Sequence, residues 1–160
     1  MKNVILIRHG KSSWNLPIND IDRPIIYKGI ENSYKTASLS IGIVNNFTQI
    51  ISSPAKRTLE TSTIFKEVWK LKNDSILVVP ELYTFNLSNL EEIVKSCLNE
   101  YHTLIIFGHN SAITDFVNKF GDIFIDNVPT SGLVSITFNT NYWISINKGK
   151  TDKIIFPSQL

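Results

Sequence analysis

Apolar and polar positions fall in blocks along this chain, and each block predicts an element. Val4–Ile7 is a continuous, mostly β-branched apolar run, the pattern of a strand buried on both faces. A loop rich in Pro, Asn and Asp follows from Asn15 to Pro24. Ile30, Tyr34, Ala37 and Ile41 recur at i, i+4, i+7 and i+11, which predicts an amphipathic helix with those residues inward. Gln49–Ser52 predicts a second strand. Ser53 is then placed to cap a helix whose first residue is Pro54, where the missing N–H of proline costs nothing. Ile64, Phe65, Val68 and Leu71 form its apolar face. Ile76–Val79 predicts a third strand, and Ser88 with Glu91 reads as a capping box for a helix carrying Leu90, Val94, Cys97 and Leu98. Thr103–Phe107 predicts a fourth buried strand, followed by a helix through Ile113, Phe116 and Val117. Leu133–Phe138 and Tyr142–Ile146 alternate around Asn139–Asn141 and predict a terminal hairpin.

The order β-α-β-α-β-α-β-α-β-β predicts an α/β three-layer sandwich. Its central sheet is mostly parallel with helices on both faces, and an antiparallel hairpin ends the chain. One domain over residues 1–160 accommodates all of it. In such sheets ligands bind beyond the carboxyl ends of the strands, so the polar residues that follow each strand are expected to converge.

Composition narrows the function. Hydrophobic residues make up 42% of the chain and charged residues 19%, the balance of a globular protein. Sixteen basic against 14 acidic residues leave a net charge of +2, too weak to argue for nucleic acid or an anionic membrane as partner. Cys97 is the single cysteine, so neither an intrachain disulfide nor a cysteine-rich metal site can form. The N-terminal apolar run is shorter than a signal-peptide core or a membrane span, and a cytoplasmic protein is the expectation.

Three strand ends carry concentrated polar chemistry: Arg8-His9-Gly10-Lys11-Ser12-Ser13-Trp14-Asn15, Ser53-Pro54-Ala55-Lys56-Arg57-Thr58, and Gly108-His109-Asn110-Ser111. Singly, each has a bland reading, since a lone histidine is more often a packed or surface residue and a lone helical arginine is usually solvated. Together, two arginines and two histidines at one sheet edge predict an anion pocket. Helix N-termini beside Pro54 and Asn110 add oriented N–H groups. The chemistry indicated is phosphate recognition.

Arg8-His9-Gly10, with Ser53-Pro54-x-x-Arg57-Thr58 and Gly108-His109-Asn110, resembles the histidine phosphatase superfamily, the phosphoglycerate mutase-like fold. The short chain, Arg8 to Trp14, and Asp22-Arg23-Pro24-Ile25 followed by Gly29 resemble its SixA-type phosphohistidine phosphatase branch. The resemblance implies that His9 is the nucleophile that becomes phosphorylated. It implies that Arg8 and Arg57 hold the phosphoryl oxygens and that His109 is a second pocket histidine, most useful when protonated. Such a reaction needs no cofactor and no metal. His9 must be neutral at its attacking nitrogen, with a backbone carbonyl the expected partner for the other. Ser12, Asn15 and Asn110 are candidate substrate-binding groups. Arg23 is either a rim contact for substrate or a loop anchor paired with Asp20 or Asp22. Glu81 stands where relatives that act on phosphate esters carry a general acid, or it is a structural carboxylate. Trp14, Trp69, Trp143 and Cys97 are expected to be packing residues, with Lys11 at the rim and His102 at the surface. The leading function is a phosphatase acting on phosphohistidine in a partner protein. The alternatives are a small-molecule phosphomonoesterase and a phosphate-binding module without catalysis. The brief loops at Asn15–Pro24 and Tyr83–Asn89 argue against a mutase.

Overall fold

The computed structural model describes residues 1–159. Six strands form one sheet: β1 (Lys2–Arg8), β2 (Thr48–Ser52), β3 (Ile76–Val78), β4 (Thr103–Gly108), β5 (Leu133–Phe138) and β6 (Lys150–Ile155). Four α-helices connect them: α1 (Tyr27–Leu39), α2 (Lys56–Val68), α3 (Leu87–Lys95) and α4 (Ala112–Phe120). The strand order is β3-β2-β4-β1-β5-β6, with β3, β2, β4 and β1 mutually parallel, β5 antiparallel to β1, and β6 antiparallel to β5. The α/β class and the mostly parallel sheet stand as expected.

Both faces of the sheet are dry. Val4 and Leu6 of β1 with Leu104 and Ile106 of β4 pack under α3 and α4 against Phe116, Phe120 and Trp143. The alternate residues Ile5, Ile7, Ile105 and Phe107 pack under α1 and α2 against Ala37 and Phe65. Unbroken apolar runs are what a two-sided burial requires, because successive side chains point to opposite faces. No helix among the described residues is long and apolar enough to cross a membrane.

Four local expectations are corrected. The partner of β5 is Lys150–Ile155, not Tyr142–Ile146. Trp143 lies in a 3-10 turn, wholly buried, with its indole N–H donating to the Tyr101 carbonyl at 2.9 Å. Burying that ring outweighs continuing a strand, and the edge strand β6 can be polar because only Thr151 and Ile155 face inward. On α1 the inward residues are Gly29, Asn32, Ser33, Thr36 and Ala37, while Ile30 and Tyr34 lie outward and Ile41 is exposed in the turn beyond the helix. The buried hydroxyls are bonded: Ser33 to the Ser131 hydroxyl at 2.9 Å, and Thr36 to the Ser131 carbonyl at 2.7 Å. Helix α2 starts at Lys56 after Ala55, so Pro54 precedes it and Ser53 does not cap it. Helix α3 is capped by Asn86, whose side chain accepts from the Asn89 N–H, and Ser88 and Glu91 lie inside it. It ends at Lys95, which leaves Cys97 half-buried beyond it and Leu98 exposed.

Candidate active site

β1 and β4 are adjacent central strands, and Arg8 pairs with Gly108 in register. The chain therefore releases His9 and His109 side by side, with ring centroids 5.3 Å apart. β2 flanks β4 on its other side, so the first turn of α2 brings Arg57 to the same edge. Two glycines let α1 press against the loop after β1. A Cβ on Gly29 would stand 2.5 Å from the Lys11 carbonyl oxygen, and one on Gly10 would stand 3.0 Å from that of Gly29. The Gly10 N–H is held by the Thr61 hydroxyl at 2.8 Å.

Hydrogen-bond partners assign the histidine tautomers. His9 Nδ1 lies 2.7 Å from the Gly10 carbonyl, which can only accept, and Arg57 Nε donates to His9 Nε2 over 3.3 Å. The proton is therefore on Nδ1 and the lone pair on Nε2, the arrangement expected of a nucleophile. His109 Nδ1 faces Arg57 Nη2 at 3.5 Å, so its Nε2 carries the proton and donates to the Ser53 hydroxyl at 2.8 Å. Both rings are nearly sealed. Burial, aided by the Arg57, Arg8 and Arg23 charges and opposed by the Gly10 bond, pushes His9 down to about 3. Burial, with His9 and Arg57 beside it, pushes His109 down to about 3 as well. These surroundings disfavour the protonated form of His109, the form expected from the sequence to be the most useful.

The cationic groups are set by their own partners. Arg57 is 2% exposed, and its Nη1 and Nη2 donate to the Asp20 carbonyl at 2.7 Å and to Asp20 Oδ2 at 3.0 Å. Arg8 Nη1 donates to the Val128 carbonyl at 2.9 Å, while its buried Nε has no protein acceptor. A buried donor without a partner is costly, and this one belongs to a side chain that lines the cleft. Asp20 also accepts from Tyr83 and from Arg23 Nε at 3.0 Å. Burial alone would raise its carboxyl, but bonds from Tyr83, Arg57 and Arg23 outweigh that and bring it down to about 2.

These groups line a cleft of about 540 Å3. Arg8, His9, Ser12, Arg23, Arg57, His109 and Asn110 all reach it, with Lys11 at its edge. Ser12 and Arg23 bond to each other, and Arg23 is buried as a loop anchor on Asp20. Asn110 spends its side chain on Asn127 and Thr114. Asn15 is exposed and does not line the cleft, and Glu81 is exposed on a neighbouring cavity with Tyr83 and Glu92. Trp14 is not a packing residue: it is 77% exposed, lines the cleft and lies over the Arg23 guanidinium at 3.5 Å. Trp143 is core and His102 is at the surface, as expected. The pairing of Arg23 with Asp20 is among the sequence expectations, whereas the grip of Asp20 on Arg57 and Tyr83, Ser53 as the partner of His109, and the rim ring of Phe85, which meets His109 edge-on at 5.3 Å, are not.

Residues 4–105 match the model of the histidine phosphatase superfamily (branch 1). The chain belongs to that superfamily. As a histidine phosphatase by family, it also has the fold of solved members. It superposes on the protein histidine phosphatase SixA complexed with tungstate with a TM-score of 0.81 at 21% identity, covering 98% of both chains. It superposes on mycobacterial glucosyl-3-phosphoglycerate phosphatase with a TM-score of 0.66 at 11% identity, covering 95% of this chain and 97% of that one. An uncharacterized chloroplastic protein of Arabidopsis thaliana is 29% identical over 120 residues, 68% of this chain. The chain spans about half the length of that relative, 54%.

Proposed function

We propose that this chain is a SixA-type phosphatase that hydrolyses phosphohistidine on a partner protein through a phosphorylated His9. One observation carries the choice of substrate class. Among the described residues the only carboxylate lining the cleft is Asp20, and it is held ionised by three donors. An alkoxide leaving group must be protonated as it departs, which asks for a carboxylic acid in the cleft. Imidazole departs more readily, because its conjugate acid has a pKa of about 6.5.

The steps follow from the tautomers. His9 Nε2, neutral and aimed at the cleft, attacks phosphorus in line with the bond to the substrate nitrogen. That P–N bond breaks, its electron pair stays on the substrate ring, which carries a proton on its other nitrogen and so departs as neutral imidazole, and the phosphoryl group is transferred to Nε2. The proton stays on His9 Nδ1, and the Gly10 carbonyl that accepts its hydrogen bond stabilises the positive charge of the phosphorylated ring. Water then attacks phosphorus on the same axis, releasing inorganic phosphate and restoring the lone pair of Nε2. Arg8 and Arg57 neutralise the equatorial oxygens throughout, where positioned charge does most of the work of phosphoryl transfer. A dianion beside His109 raises its pKa, so that ring gains a proton only once substrate is bound.

The exposed rim, with Trp14 and Phe85 flanking a cleft open to solvent, supports a residue carried on a protein. The small-molecule phosphomonoesterase reading draws support from the shared fold of the glucosyl-3-phosphoglycerate phosphatase. Turnover of phosphoramidate against an aryl phosphate ester, with acid-quench trapping of labelled enzyme, separates the two. Preference for phosphoramidate with label on His9 supports the proposal. Faster ester turnover favours the alternative, and no label on His9 sinks the shared mechanism.

A further inference from the structure

Arg57 offers two bidentate edges, and both are in use. The end edge, Nη1 with Nη2, holds the carbonyl and the carboxylate of one residue, Asp20, at 2.7 and 3.0 Å. The side edge, Nε with Nη2, faces His9 Nε2 at 3.3 Å and His109 Nδ1 at 3.5 Å. A phosphoryl group attacked by His9 Nε2 has to approach that nitrogen, and Arg57 presents it the side edge rather than the end edge. We infer that Asp20 is a positioning residue for phosphoryl transfer: by occupying the end edge of Arg57, it fixes the side edge toward the phosphorus. The inference rests on the proposed reading of the cleft as a phosphoryl site.

The reason is geometric. An arginine side chain has several rotatable bonds, and its fork is selective only if the plane of the guanidinium is fixed. Asp20 grips that plane at two points, and is itself gripped. Arg23 Nε holds Oδ1, and the Tyr83 hydroxyl shares Oδ2 with Arg57. Arg23 is in turn tied to Ser12 and to the Ser13 carbonyl, whose chain leaves directly from His9 and Gly10. Asp20 thus relates the orientation of Arg57 to the same segment that carries the nucleophile. The arrangement also explains why a carboxylate sits in a cleft built for an anion: it faces the edge of Arg57 that the phosphoryl group does not use.

The opposite reading is that Asp20 occupies the phosphoryl seat and must be displaced. Asp20→Asn separates the two, since it removes the charge and keeps the main-chain carbonyl that Arg57 also uses. Binding of inorganic phosphate by calorimetry, and kcat and KM for phosphoramidate, are measured for Asp20→Asn, Arg57→Ala and the double variant. The expected result is about tenfold weaker phosphate binding and a similar loss in kcat/KM for Asp20→Asn in the wild-type background. In the Arg57→Ala background the same change alters neither by more than about twofold, because its effect passes through the missing side chain. Tyr83→Phe, which deletes only one bond to Oδ2, is expected to weaken binding about threefold in the same direction, by loosening rather than removing the carboxylate. Equal losses in both backgrounds, unchanged binding in Asp20→Asn, or tighter binding in either variant overturns the inference. Wild-type protein that binds no phosphate sinks the reading of the cleft and the inference with it. Wild-type binding matched by Asp20→Asn sinks only the inference.

Discussion

Arg57 Nε donates to His9 Nε2 across 3.3 Å, so the lone pair of the proposed nucleophile rests against the group proposed to bind its target. The contact keeps the ring in one tautomer and disfavours a second proton. It also means that the nucleophile and the phosphoryl clamp are poised as one unit, and substitutions in the two should not act independently.

His9→Ala removes the attacking nitrogen and is expected to lower phosphoramidate turnover at least about 10^3-fold, with no acid-labile phosphoenzyme. Single-turnover quench with labelled substrate measures both. Activity near wild type would remove His9 from the mechanism.

Arg57→Lys keeps the charge and loses both edges of the fork. An ammonium cannot bond Asp20 twice while facing two histidines, so kcat should fall about 10^2-fold, a loss that added salt does not restore. Lysine supporting wild-type kcat would show that only charge matters there.

Glu81→Gln is expected to leave phosphoramidate turnover within about twofold, because Glu81 faces the neighbouring cavity rather than the cleft. A tenfold loss would make Glu81 the acid after all.

Stability should depend on pH through the two buried histidines. Their folded values of about 3 lie below the unfolded value of about 6.5, so between these limits the unfolded chain binds more protons. Stability is therefore complete above that window and is lost as pH falls through it, by up to about 1.4 kcal/mol per pH unit for each histidine. Urea midpoints from pH 7 to 4 should decline, and His109→Asn should flatten the decline. Parallel slopes for the two proteins would place the titration elsewhere.

Gly29→Ala inserts a methyl 2.5 Å from the Lys11 carbonyl and 2.8 Å from its amide nitrogen. Main chain cannot yield as a side chain does, and the expected cost is about 2 kcal/mol of unfolding free energy, with lower activity because Gly10 moves too. A thermal midpoint equal to wild type would show that α1 can shift freely.

The sequence carried the central strands well, because Val4–Ile7 and Leu104–Phe107 must be apolar at every position to lie between two helical layers. It carried α1 badly. That helix turns Asn32, Ser33 and Thr36 inward, where Ser33 and Thr36 bond to Ser131 ninety-odd residues away, and no local period announces such a face. Residues following β1, β2 and β4 were legible because strand ends converge by topology. Asp20, 37 residues from Arg57 and 63 from Tyr83, was not, since only the closed loop brings the three together. Glu81 and Asn15 looked close in chain order but are turned away.

The gap between His9 and His109 is a spacing of the main chain. Adjacent strands stand about 4.8 Å apart wherever backbone hydrogen bonds join them, and the two rings, leaving β1 and β4 at paired positions, lie 5.3 Å apart. That separation is thus metered by peptide groups, which every sequence shares. Core side chains can change without retuning it, and the fold itself recurs in solved structures at 21% and 11% identity.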